Sequence, residues 1–208
     1  MLLHLILKDL KIEMRSKEII ASMFIFGLSV TLIFALAFQV APVMIHTFAP
    51  GLLWVVILFT SVLGLNRLFS LEREEHALWS WVTAPVDRGL VYIAKVISAL
   101  IFVLISVILF IIPFFIFLNL PTEFSFFQFG LILLLGTGSI VSIGCLISGI
   151  TLQAGLRDVL IPIFLFPSAS PVAIAATKCT GFLFENKPLT TWNFWLLILA
   201  SFFVIFSL

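Results

Sequence analysis

The chain has 208 residues, 62% of them hydrophobic and 10% charged, with a net charge of +1. A soluble domain carries about 25% charged residues, and so few polar groups do not cover the surface of one this size. The composition predicts an integral membrane protein and points to neither nucleic acid nor an acidic partner. Cys145 and Cys179 are the only cysteines. They show no C-x-x-C spacing, so neither a disulfide nor a metal site is expected.

The N-terminal stretch MLLHLILKDLKIEMRSK mixes charge with apolar residues and lacks the short apolar region and cleavage site of a signal peptide. Leu3, Leu7, Leu10 and Met14 follow i, i+4, i+7 and i+11, while Lys8, Lys11 and Arg15 fall on another face. The spacing predicts an amphipathic interfacial helix over 1–18. It reads either as a topogenic anchor or as an elbow that braces a helical bundle. No Asp, Glu, Lys or Arg occurs from Ile19 to Asn66, and a bilayer-crossing helix needs about 20 apolar residues. Pro42, Pro50 and Gly51 in APVMIHTFAPG (41–51) are expected to divide the run, giving spans over 19–40 and 51–70. Further spans are expected over 96–118, 127–150, 159–177 and 192–208, with a turn at NLPTEF (119–124). The expected fold is all-α, with six transmembrane helices in one transmembrane domain.

Lys and Arg collect in alternate connections: Lys8, Lys11, Arg15 and Lys17, then Arg67, Arg73, Arg88 and Lys95, then Arg157. The opposite side has Lys178 and Lys187. This bias predicts that both termini face the cytoplasm.

The longest cytoplasmic connection (68–90) contains LEREEHALWSWVTAP (71–85). Nothing breaks a helix from Phe69 to Val82, and Ala84, Pro85 and Gly89 are expected to end it. Glu72, Glu75 and Trp79 share one face, and Leu71, Leu78 and Trp81 another. Such a helix lies on the membrane and offers acid to a partner's basic or helix-terminus surface. The alternative is a solvated charged loop with interfacial tryptophans.

APGLLWVVILFTSVLGLNRLFSLEREE (49–75), AP at 84–85, AK at 94–95, LLLGTGSI (133–140) and GLRDVLIPIFLFPSASPVAIAA (155–176) occur in that order. Together they resemble the CcmB family of cytochrome c maturation membrane proteins, also called heme exporter protein B. The resemblance covers roughly residues 1–180. It implies a six-helix subunit of an exporter-like (ABC-2 type) ATP-binding-cassette assembly, located in a bacterial or organellar inner membrane and present as a homodimer. The implied partners are a separate ATPase and heme-handling maturation subunits. Glu72, Arg73, Glu74, Glu75 and Trp79 then become the coupling element that docks on the ATPase. ATP would sit on that ATPase and heme would be handled by the complex, with no cofactor assigned to this chain. The chain has no G-x-x-x-x-G-K-[ST] motif of its own. It is expected to be a non-catalytic subunit, because its one acidic cluster lacks a His pair or metal spacing. An export permease for a lipid or glycan is the alternative, since fold alone does not name a substrate.

Within the spans, Gly138, Ser142, Cys145 and Gly149 follow i, i+4, i+7 and i+11, a small-residue stripe suited to helix packing or a dimer contact. Pro162, Pro167 and Pro171 predict a kink or a partly re-entrant segment near PSASP (167–171), read as a gate or as a static kink. His46 beside Met44 could ligate heme, or be a polar loop histidine.

Overall fold

The computed structural model describes residues 2–37, 42–74, 88–120, 122–151 and 157–207. Among these, seven helices follow in order: α1 (Leu2–Ser16), α2 (Glu18–Ala37), α3 (Pro42–Glu74), α4 (Arg88–Phe117), α5 (Phe126–Ile150), α6 (Arg157–Phe184) and α7 (Leu189–Ser207). Six are long and apolar enough to cross a bilayer: α2, α4 from Gly89, α5, α6 from Val159, α7, and the Thr47–Ser70 portion of α3.

α3 and α5 form the centre of the bundle, with α2 and α7 at its margins. The core is filled by Trp54, Leu65, Phe102, Phe110, Phe114, Ile132 and Trp192. Ile25, Ile33, Ile112, Phe164, Leu197 and Ile205 stay exposed on the outer faces. Lipid chains solvate such a surface as well as they would one another, so it needs no protein cover.

The end of the bundle that carries α1 also holds most of the Lys and Arg residues and is called the basic end below. At the opposite end, α4 and α6 stop in the same way. Asn119 (φ 47°) and Asn186 (φ 52°) take the left-handed conformation just past each helix. Leu120 N–H donates to Phe115 O at 3.1 Å, and Lys187 N–H donates to Phe182 O at 2.9 Å. Both are Schellman caps built on Asn. Asn186 Nδ2 also donates to Glu123 O at 2.8 Å, tying the two turns together. Beneath them, Phe115 packs on Phe124, Phe129 and Phe184 with ring centroids 5.7–5.9 Å apart.

Three helix boundaries differ from the sequence expectation. Pro50 and Gly51 do not interrupt the chain; they lie inside α3. Pro42 opens that helix, where a missing N–H costs nothing. Pro50 and Gly51 face Gly181 and Thr177 of α6, with just enough space that a Cβ added to either glycine would meet its neighbour at ordinary contact distance. The PSASP stretch is not re-entrant, because α6 runs unbroken through Pro162, Pro167 and Pro171. Pro171 has no N–H for the carbonyl of Pro167, and Ser170 Oγ donates to that carbonyl instead at 2.8 Å. Local hydroxyls of this kind let membrane helices carry proline. Finally, the charged stretch does not begin a separate helix at Phe69. Residues up to Glu74 continue α3 from within the core. Gly89, expected to end that helix, instead lies in the first turn of α4.

Candidate functional site

The acidic residues singled out in sequence fall where α3 leaves the bundle. Glu72, Arg73 and Glu74 are its last residues, and Glu75 and Trp79 lie outside the described residues. Just inside them, Leu68 and Phe69 are buried. Arg67 pairs with Glu18 at the start of α2, and Ser70 Oγ donates to Arg67 O at 2.9 Å. One helix thus joins the packed interior to the charged exit.

The basic end is also held by charges that lie below the surface. Lys95 Nζ stands 2.7 Å from Asp9 Oδ2, and the two side chains are only 6% and 5% exposed. Ile6, Asp9 and Glu13 form the buried face of α1, which packs chiefly on α4. Leu3 and Leu7 of the apolar stripe point away from the bundle, at 64% and 50% exposure. Leu10 of the same stripe packs against the core, so α1 docks through Ile6, Leu10 and the two buried acids Asp9 and Glu13. Glu13 has its own role in the turn that follows. Lys17 takes a left-handed conformation (φ 57°), and Glu13 Oε1 accepts from Ile20 N–H at 2.9 Å. A carboxylate thereby caps the first turn of α2, where the helix dipole favours negative charge.

The small-residue stripe on α5 divides between two environments. Gly138 lies under the Phe203 ring of α7. Ser142 and Cys145 are buried, and the Ser142 carbonyl is 3.1 Å from the Tyr92 hydroxyl of α4. The same hydroxyl donates to Phe206 O at 2.6 Å, capping the last turn of α7. Gly149 is exposed and a Cβ there would meet nothing within 4 Å. The first three residues therefore make contacts inside one chain. Pro167 and Pro171 are exposed on the outer side of α6, with Pro162 half-buried.

Two glycines outside the stripe make the closest helix contacts. A Cβ on Gly136 would overlap the Trp54 ring, and one on Gly144 would overlap Leu65 Cδ1. Leu65 ends in a mobile methyl, whereas Trp54 is a rigid ring pinned by Nε1 donating to Thr180 Oγ1 at 2.9 Å. Gly136→Ala is therefore expected to destabilise the bundle by about 1–3 kcal/mol through overpacking. Gly138→Ala should cost less, because the half-buried Phe203 ring has room to turn outward. Thermal unfolding of the two variants in detergent checks the order.

Among the described residues, no three His, Cys, Asp or Glu groups come close enough to hold a metal ion. Cys145 and Cys179 are buried thiols on α5 and α6. His4 is exposed on α1, while the side chains of His46 and Met44 and all of His76 lie outside the described residues. Sequence reasoning missed Asp9, Glu13 and the burial of Lys95, as well as Gly136 and Gly144. A signal for the first three was present: Ile6, Asp9 and Glu13 recur at i, i+3 and i+7, and Lys95 sits alone within an apolar run.

Six apolar helices around a close-packed centre, with a charged helix clipped across one end, define a multi-pass all-α membrane protein. The chain belongs to the CcmB family: it matches the family described as "CcmB protein" over residues 1–207. It is similar to heme exporter protein B of Pseudomonas aeruginosa, 25% identical over 197 residues covering 95% of this chain and 88% of the relative. Similarity to heme exporter protein B of Haemophilus influenzae is 30% over 179 residues, 85% of this chain and 79% of that protein. The Escherichia coli K12 protein of the same name matches at 31% over 90 residues, 43% of this chain and 41% of that one.

Proposed function

We propose that this chain is the membrane subunit that couples ATP hydrolysis, carried out by a separate ATP-binding-cassette ATPase, to heme delivery in cytochrome c maturation. The stroke would release a heme-loaded chaperone from a heme-handling membrane partner. Membership of the CcmB family supports this reading, as do relatives named heme exporter protein B. The observation that carries it is the continuity of α3. One unbroken helix of 33 residues links Trp54 in the core to Glu72, Arg73 and Glu74 at the charged exit. A push on the exit is delivered to the centre of the bundle, because a packed helix moves as a unit rather than bending freely. In this reading the basic end faces the cytoplasm of a bacterial inner membrane, both termini lie on that side, and two copies pair within the complex. The ATPase, rather than this chain, performs the catalysis.

Replacing Glu72, Glu74 and Glu75 together by Lys puts repulsion where attraction is needed. Co-purification of the ATPase is expected to fall by roughly 30-fold or more, the scale of lost interfacial charge pairs. Membrane insertion should be unchanged, since the residues lie beyond the apolar span. Undiminished co-purification would overturn the coupling role. An ATPase recovered from the native membrane without any maturation subunit would favour an export permease instead.

A further inference from the structure

We infer that Asp9 and Lys95 are a positioning pair that makes α1 and the base of α4 one rigid clamp, through which the charged segment moves the bundle. The inference rests on the coupling function proposed above. Chain connectivity is the first argument. Residues 75–87 join the end of α3 to α4 at Arg88 in the chain, so the charged segment is covalently attached to the base of α4. Lys95 stands two turns into that helix, and its ammonium meets Asp9 of α1 at 2.7 Å.

Burial is the second argument. Both side chains are sealed between the two helices, with Leu5, Lys8, Val91 and Ala94 lining a small gap beside them. A buried ion pair is a poor way to gain stability compared with apolar packing, and its best use is to specify one register. Here an apolar contact could slide along α4, whereas the pair holds α1 at one height. The third argument is what α1 grips at its other end. Glu13 caps the first turn of α2, and Glu18 in that turn pairs with Arg67 of α3. Three membrane helices are thus linked to α1 at the basic end through three carboxylates, Asp9, Glu13 and Glu18, and their partners Lys95, Ile20 N–H and Arg67. The clamp would pass a displacement of α4 to α2 through Glu13, while the half-exposed Glu18–Arg67 pair adds only a weak link to α3.

The test uses the complete complex in its native membrane, with mature cytochrome c per unit of this chain as the output. Asp9→Asn should lower that output by about 10-fold or more while ATP hydrolysis per complex stays within roughly twofold, because breaking one side of a buried pair frees the register. The exchanged pair Asp9→Lys/Lys95→Asp should restore the output. A purely structural role would reduce protein abundance and both activities together. Leu5→Cys with Val91→Cys gives a second measurement, since both residues line the same gap. Locking α1 to α4 by a disulfide, formed with an added membrane-permeant oxidant because the cytoplasmic side is reducing, should leave the output of the parent intact and rescue Asp9→Asn. Full output from Asp9→Asn, or loss of output on locking the parent, would overturn the clamp. The rate of that disulfide's formation reports the clamp without any ATPase, and it should fall by about 10-fold in Asp9→Asn. If the ATPase fails to co-purify with the parent protein, the coupling function falls, and the disulfide rate still decides whether the pair holds α1.

Discussion

Lys95→Met alone is expected to lower the stability of the bundle by about 3–5 kcal/mol, the scale for leaving one member of a buried pair uncompensated. The ammonium lies 2.7 Å from Asp9, and both groups are about 95% shielded. Removing it strands a carboxylate between α1 and α4. Left without its counter-charge, that carboxylate opposes the packing of α1 on α4. Adding Asp9→Leu to Lys95→Met should return most of the loss, because two apolar side chains suit a dry site at least as well as the pair does. Denaturant unfolding of the detergent-solubilised protein measures both variants. Equal destabilisation of the single and double variants would show that packing of the Lys95 stem matters more than its charge.

Trp54→Ala should be similarly severe, at about 3–5 kcal/mol, the usual loss when a large buried aromatic is truncated. Trp54 is 1% exposed, lies on the central helix α3, and fills the notch above Gly136. Its Nε1 donates to Thr180 Oγ1, which in turn donates to Ala176 O at 2.8 Å, so the ring is also fixed against α6. Trp54→Phe separates the two contributions. It keeps much of the aromatic bulk, loses one hydrogen bond, and should cost closer to about 1 kcal/mol from that bond. Combined with Gly136→Ala, it should cost less than the sum, because a smaller ring leaves space for the added methyl. Strict additivity would mean that the ring and the glycine do not share the strain.

The charged exit was legible in sequence as far as its composition, because four charges in a row stand out between apolar runs. Its attachment was not. Whether Glu72 begins a loose amphipathic helix or ends the central one depends on Leu68 and Phe69, and both are buried. The glycine contacts were hidden for a similar reason. Gly136 and Gly138 are two residues apart on one helix, so they face different neighbours. Which of them meets a rigid indole and which a movable phenyl ring depends on α3 and α7, far away in the chain.

Residue order alone was enough for the membrane class, the six apolar runs and the one-sided distribution of Lys and Arg. These are sums over short windows, and the bilayer imposes its length and polarity on each window separately. Only the tertiary structure decided that Pro50, Pro167 and Pro171 stay inside continuous helices. Pro50 is accommodated where Gly181 of α6 leaves room beside it, a neighbour far away in the chain, whereas Ser170 serves the Pro167 carbonyl locally within α6. It likewise decided that Asp9 and Lys95, 86 residues apart, share one dry site. In sequence, the α1 spacing of Asp9 and the isolation of Lys95 in an apolar run mark each one as unusual, but neither names the other as its partner. Two such charges are kept out of water only where folding brings them to the same place, and no local pattern records that meeting.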